Sequence, residues 1–430
     1  MGMNKQELIG QLNADTKQQR LEALRALKAL ADSGSIDLPQ TQGYTNNHVH
    51  TTYSFSPYSP AKAVWMAVNS GLSTVGIVDH DAINGAEEFI EAGEIMGIAT
   101  TIGFEVRTDW SATALNGRRV NNPDQLTSGY ICAHGLPHTQ IKAADGYLKR
   151  IREAREKRSR AMTDRLNGIM QPYGVYTDFD ADVLPISCAA FGGEVTERHI
   201  LYALTEKLLQ RYGKGQPLIE FITDALGMTL TDSQKVMLGD TACDIYAYDV
   251  LNLLKGSFVS RIYIDSTVEE TPDVREMVAA IKSWGAIPSY CYLGDVAASP
   301  TGDKKAQKFE DDYLEETFLA CKEIGFQAIA FMPSRNTAEQ LDQVMALCER
   351  YGFMQISGED INQPRQSFIC KQLKDTRFAH LVDTTWALVG HEAAATHDLS
   401  LGMFAGDKQP NAQEMQALIE KYKRIGLSGL

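Results

Sequence analysis

Apolar residues recur along this chain at two spacings, and the switch from one to the other sets the architecture. Between Lys5 and Ala31, Leu8, Leu12, Leu21, Leu24, Leu27 and Leu30 stand among Lys, Gln, Glu and Arg with a break near Asn13 to Thr16. That periodicity predicts two short helices packed on the main body, ended by the turn formers from Asp32 to Pro39. From Tyr44 the chain alternates: a strand over 44–49, a helix over 60–70, a strand over 74–78, a helix over 82–96 and a strand over 99–104. Strands alternating with helices predict a parallel sheet or barrel. The stretch from His199 to Trp284 reads as largely helical, with apolar periodicity over 201–212 and 217–226, and strands are expected again at 258–265, 286–291, 327–331 and 353–357.

The polar residues interrupting this pattern fall at the C-terminal ends of the early strands: His48 and His50, then Asp79, His80 and Asp81, then Glu105. α/β barrels carry their chemistry at those ends, where the βα loops converge. In an extended strand His48 and His50 face the same side. Alone such a pair could equally be satisfied core histidines. Three consecutive strand ends offering imidazole and carboxylate groups point to a metal site, because buried polar groups are costly unless paired or ligating. Asp79 or Asp81 could orient an imidazole, or could cap the following helix.

Composition narrows the rest. The 430 residues are 44% apolar and 22% charged, enough for one large domain or two, and the net charge of -14 argues against a nucleic-acid or anionic-membrane surface. No stretch reaches transmembrane length, and the start at Met1 lacks the apolar core of a signal peptide, so a cytoplasmic location is expected. Seven cysteines without finger spacing suggest reduced, mostly buried thiols. Concentrated positive charge occurs between Gly146 and Gly174, at Lys149, Arg150, Arg152, Arg155, Lys157, Arg158 and Arg160.

In order along the chain, His48-Val49-His50-Thr51 with Ser54, Val78-Asp79-His80-Asp81, Gly103-Phe104-Glu105, Cys132-Ala133-His134-Gly135, Glu197-Arg198-His199-Ile200 and Ser357-Gly358-Glu359-Asp360 resemble the motifs of the polymerase and histidinol phosphatase (PHP) superfamily. The resemblance implies a distorted seven-stranded (β/α) barrel and hydrolysis of a phosphate ester with up to three metal ions. Carried over by motif, it implies His48, His50, Glu105 and Asp360 as ligands of a first ion, Glu105 and His134 as ligands of a second, and His80 as a ligand of a third. Three implied ligands are replaced, by Phe55, Tyr292 and Asn362. One well-held ion is therefore expected, with a second on Glu105, His134 and water or Tyr292; zinc, manganese and iron all suit such donors.

The family's arginine-rich helix over the metals makes Arg158, Arg160, Arg198 and His199 the candidates for holding substrate phosphate. No catalytic side chain is assigned; the attacking group is expected to be water activated by metal on Glu105 and Asp360. The organisation expected is an N-terminal helical extension over 1–40, a barrel over 41–135 and 258–430, and an inserted helical cap or lid over 136–257. The expected function is a metal-dependent phosphoesterase of a small phosphorylated or anionic molecule, with no nucleic acid or membrane partner. The alternative is a catalytically weakened barrel that binds a ligand or partner without turnover.

Overall fold

The computed structural model describes residues 4–122, 125–295, 310–406 and 409–429. Seven strands form one sheet in chain order: β1 Tyr44–Val49, β2 Leu72–His80, β3 Ala99–Asp109, β4 Ser128–His134, β5 Ile287–Cys291, β6 Ala328–Phe331 and β7 Met354–Ser357. The sheet curls into the expected distorted barrel and closes just past β7. There His50 N donates to Ile361 O (2.9 Å) and Ile361 N to His48 O (3.1 Å). Gly358 permits this approach, because a Cβ there would lie 2.7 Å from both Cβ and N of His48. Closure at that point brings Asp360 beside the first histidine pair.

The strand pattern departs from the expected parallel order in one place: β4 runs antiparallel to both β3 and β5. The connection from β3 to β4 contains no helix among its described residues, so the chain turns back instead of crossing over. The expected strand over 258–265 is also absent. Leu251, Leu254, Phe258 and Ile262, at helical spacing, are instead the buried stripe of the helix Tyr246–Ile262. That helix runs through the expected boundary at residue 257.

At the N-terminus the two expected helices, Lys5–Gln11 and Lys17–Asp32, each begin with a capping box, on Asn4 and Thr16. Leu8, Leu12, Leu21, Leu24 and Leu27 join them to the barrel core. The long helix Ile141–Met170 links two cores: Ala144, Leu148 and Ile151 pack with the barrel, whereas Met162, Leu166 and Met170 pack with a second apolar cluster built from residues up to Ile262. Phe55, from the loop after β1, belongs to that second cluster. Two further helices, Ala379–His397 and Ala412–Ser428, cover β5, β6 and β7 through Leu388, Met415 and Tyr422. Among the described residues no helix is long and apolar enough to cross a membrane.

Candidate metal centre

Residues at the ends of β1, β2 and β7 converge at the barrel mouth on Glu105, which lies inside β3 because that strand runs on to Asp109. His50 Nε2 lies 3.2 Å from Asp360 Oδ1 and 3.9 Å from Glu105 Oε2, His48 Nε2 lies 3.8 Å from Glu105 Oε2, and His80 Nδ1 lies 3.1 Å from the same oxygen. The imidazoles of His50 and His80 stack with centroids 4.7 Å apart. Among the described residues three overlapping groups have ligand atoms mutually within 4.8 Å: His48, His50 and Asp360; His50, His80 and Glu105; and His48, Glu105 and Cys132. Because an imidazole nitrogen has one lone pair, His48 Nε2 and His50 Nε2 can each serve one ion at a time, and the three groups cannot all fill through the same atoms.

A relay behind His50 fixes which nitrogen faces this centre. Asp79 is buried and accepts from Thr51 N (2.6 Å), Thr51 Oγ1 (2.5 Å) and Ser54 Oγ (2.7 Å). Ser54 Oγ donates its hydrogen bond to Asp79, so at 3.3 Å from His50 Nδ1 it acts as the acceptor and places the ring proton on Nδ1. The Nε2 lone pair then points at carboxylates. Nε2 is buried, makes no hydrogen bond of acceptable geometry, and stands where a cation would relieve the repulsion. The donor set therefore fits a divalent ion. Asp81 takes a different part: its Oδ2 accepts from Arg155 (2.8 Å).

The charges are mutually adjusted. Burial opposes ionisation of Glu105, yet His80, then His48 and His50, hold its carboxyl down to about 2. Burial pushes His80 down to about 4 despite Glu105, and burial with the neighbouring His48 pushes His134 down to about 3. Neutral imidazoles facing an ionised carboxylate are the forms that ligate metal.

Of the other expected residues, His134 is buried with an unpartnered Nε2 but belongs to none of the three groups. The reversed direction of β4 explains this: Cys132 pairs with Glu105, and His134 lies two residues deeper along β3. Tyr292 turns away and donates to Asp311 Oδ1 (2.7 Å), so it does not complete a second ligand set. Asn362 Nδ2 donates to Asp360 Oδ1 (2.7 Å), and Phe55 meets His199 edge to face with centroids 4.9 Å apart.

The structure separates the expected phosphate-holding residues. Arg198 Nη1 reaches Asn362 O (3.5 Å), beside the centre. Arg158 is buried and grips Glu270 with two bonds of 2.7 Å, while Arg160 pairs outward with Glu156 and Asp180. His199 is buried, its Nδ1 accepting from Thr196 N (2.9 Å) as part of a helix cap. Two arginines not singled out in the sequence lie nearer: Arg155, in contact with Asp81, and Arg107, over the Tyr130 ring that packs near His80. Both had a signal. Arg107 shares a strand face with Glu105, and Arg155 falls on the helix stripe of Leu148, Ile151, Met162 and Leu166, from which Lys149, Lys157 and Arg160 are displaced.

Comparison with known proteins bears on this site. Residues 46–147 match the PHP domain. A segment of 73 residues is 38% identical to an error-prone DNA polymerase of Nocardia farcinica, and 69 residues are 32% identical to a 5'-3' exoribonuclease of Haemophilus influenzae; each covers 16% of this chain. The matched segments make up 6% of the polymerase and 25% of the exoribonuclease. Two solved structures share the fold. A candidate metal-dependent phosphoesterase from Bifidobacterium adolescentis has a TM-score of 0.50 at 19% identity, covering 80% of this chain and 96% of its own. An amidohydrolase from Chromobacterium violaceum, with sulfate and no metal, has a TM-score of 0.51 at 16% identity, covering 76% and 90%. The segment over 46–147 that is similar to the PHP domain carries His48, His50, His80, Glu105 and His134 on or directly after the first four strands of the barrel.

Proposed function

We propose that this protein is a metal-dependent hydrolase that opens an ester of a small phosphorylated or otherwise anionic molecule. The observation that carries the reading is the buried Nε2 of His50, aimed at Glu105 and Asp360 by a relay that leaves it no proton. His48, His50, His80, Glu105 and Asp360 would hold one or two divalent ions of the zinc, manganese or iron class. Such ions supply Lewis acidity toward an ester oxygen and acidify water. Around them the chain's own residues bind and orient. Arg198, beside Asp360, is the guanidinium best placed to take an anionic group, because Arg107 and Arg155 are already paired, with Glu270 and with Asp81 and Glu194 respectively. The helical segment over 136–257, bearing on the mouth through Phe55 and Arg155, acts in this reading as a lid that excludes water.

The test combines metal analysis of the purified protein with a screen of phosphomonoesters in added zinc or manganese. One or two ions, and hydrolysis lost by at least about a hundredfold in Glu105→Gln and Asp360→Asn, are expected. Three stoichiometric ions, or full metal loading with no hydrolysis of any phosphomonoester, would sink the proposal. The latter result would favour the second reading, a binding protein without turnover, for which Phe55, Tyr292 and Asn362 speak because each directs its side chain to packing or to another protein group.

A further inference from the structure

Two thiols stand at the edge of the same centre. Cys132 faces inward from β4 directly across the ladder from Glu105, and is buried. Its Sγ lies 3.3 Å from that of Cys291, on the antiparallel neighbour β5, too far apart for a disulfide. The Cys132 sulfur, a Glu105 oxygen and a His48 ring nitrogen are mutually within 4.8 Å. Ligands about 2.0–2.3 Å from a common ion in tetrahedral geometry would stand roughly 3.3–3.7 Å apart, so small side-chain shifts suffice to bring the three onto one metal.

We propose that Cys132 is a thiolate ligand of a divalent ion held with His48 and Glu105, and that Cys291 keeps its proton and donates it to the Cys132 sulfur. The proposal rests on the metal-centre reading above and deepens it. Charge decides between one thiolate and two. Glu105 and a single Cys132 thiolate neutralise a divalent ion in a largely buried site, whereas a second thiolate would leave an uncompensated buried negative charge. On binding, the Cys132 S–H bond breaks, its proton leaves to solvent, and the sulfur replaces a water of the ion. Three protein ligands leave a fourth position open, the arrangement of catalytic zinc. His50 and His80 remain for a neighbouring ion that shares Glu105. A soft sulfur donor makes the Cys132 position favour zinc, cobalt or iron over magnesium or manganese.

Cobalt(II) is the probe. Metal-free, fully reduced protein titrated with cobalt should develop a near-ultraviolet sulfur-to-cobalt charge-transfer band together with the visible ligand-field bands. Cys132→Ser should lose the charge-transfer band and keep visible bands; Cys291→Ala should retain the former with altered position, and Cys243→Ser, in the distant helical segment, should match the parent. The parent spectrum alone keeps the matter decidable if a variant fails to fold. Visible bands with no charge transfer in the parent would overturn thiolate ligation and leave the metal centre standing. No cobalt binding at all would overturn both, and loss of the band in Cys243→Ser would place the sulfur ligand elsewhere.

Discussion

Ser54→Ala isolates the relay that orients His50. In the parent, Asp79 accepts a hydrogen bond from the Ser54 hydroxyl and Ser54 Oγ accepts one from His50 Nδ1–H, leaving the Nε2 lone pair for metal. Removing Oγ does not force the imidazole to suffer in the metal-free protein, because the proton can move to Nε2 and face Asp360 Oδ1 at 3.2 Å. Binding an ion must then return the proton to Nδ1, inside a side chain that is 1% exposed and has lost its acceptor. An unsatisfied buried donor costs about 1–3 kcal/mol. Metal affinity should therefore fall by roughly tenfold to a hundredfold, the range seen when a ligand's supporting group is removed. Metal-free stability should fall less, by about 1 kcal/mol, since Thr51 still gives Asp79 two hydrogen bonds. Competition against a chelating dye gives the affinity, and urea melts of the metal-free protein give the stability. Ser54→Thr, which restores a hydroxyl, should recover most of the affinity. An unchanged affinity in Ser54→Ala, or a stability loss with no affinity loss, would show that Ser54 props the loop and does not set the tautomer.

Phe55 offers a test of the contact between barrel and helical segment. Its ring is buried against His199, Tyr202 and Tyr248, so Phe55→Ala should lower stability by about 3–5 kcal/mol in urea melts. The residue also sits at φ 116°, and Phe55→Gly should be at least as stable as Phe55→Ala, by up to about 1 kcal/mol, reversing the usual order. His391 carries a pH prediction. Buried and accepting from Met403 N, its imidazole is pushed by burial down to about 4, so it stays neutral in the folded protein at pH values where the unfolded chain takes a proton. Stability from this group is full above about 6.5 and is lost as pH falls toward 4. Between pH 7 and pH 5 the parent should lose about 2 kcal/mol more than His391→Gln; equal losses would mean His391 is protonated in the fold.

What the sequence carried plainly was the part governed by local rules. The strand over 44–49, the start of the strand at 99, the paired N-terminal helices and the convergence of His48, His50, His80 and Glu105 follow from periodicity and strand position, although β3 runs past the expected end at 104 to Asp109. What it hid depends on contacts distant along the chain. The reversal of β4 needs knowledge of how residues 110–127 return the chain, and without it His134 reads as a mouth residue when Cys132 holds that height. Tyr292 reads as standing in for a ligand until Asp311 is seen to claim its hydroxyl. Which arginines turn inward depends on helix phase more than on charge: Arg155 and Arg158 follow the buried stripe of the helix, whereas Arg160 lies off it.

On the proposed reading, charge at the mouth suits an anionic substrate once ions are bound. Glu105 and Asp360 bring two negative charges, and the imidazoles of His48, His50 and His80 are neutral when they ligate. Two divalent ions would leave the centre doubly positive, a complement to a phosphate monoester dianion. If Cys132 ligates as a thiolate, the excess falls to a single charge, and the Arg198 guanidinium beside Asp360 restores the second. Arg198→Lys keeps that charge but removes the planar fork that grips two oxygens at once. It should therefore raise KM for a phosphomonoester by about tenfold with little change in kcat, whereas Arg198→Ala should raise KM further and leave metal content intact. Loss of metal from Arg198→Ala would instead make this arginine a support of Asp360, and the substrate's charge would then have to be met by the ions alone.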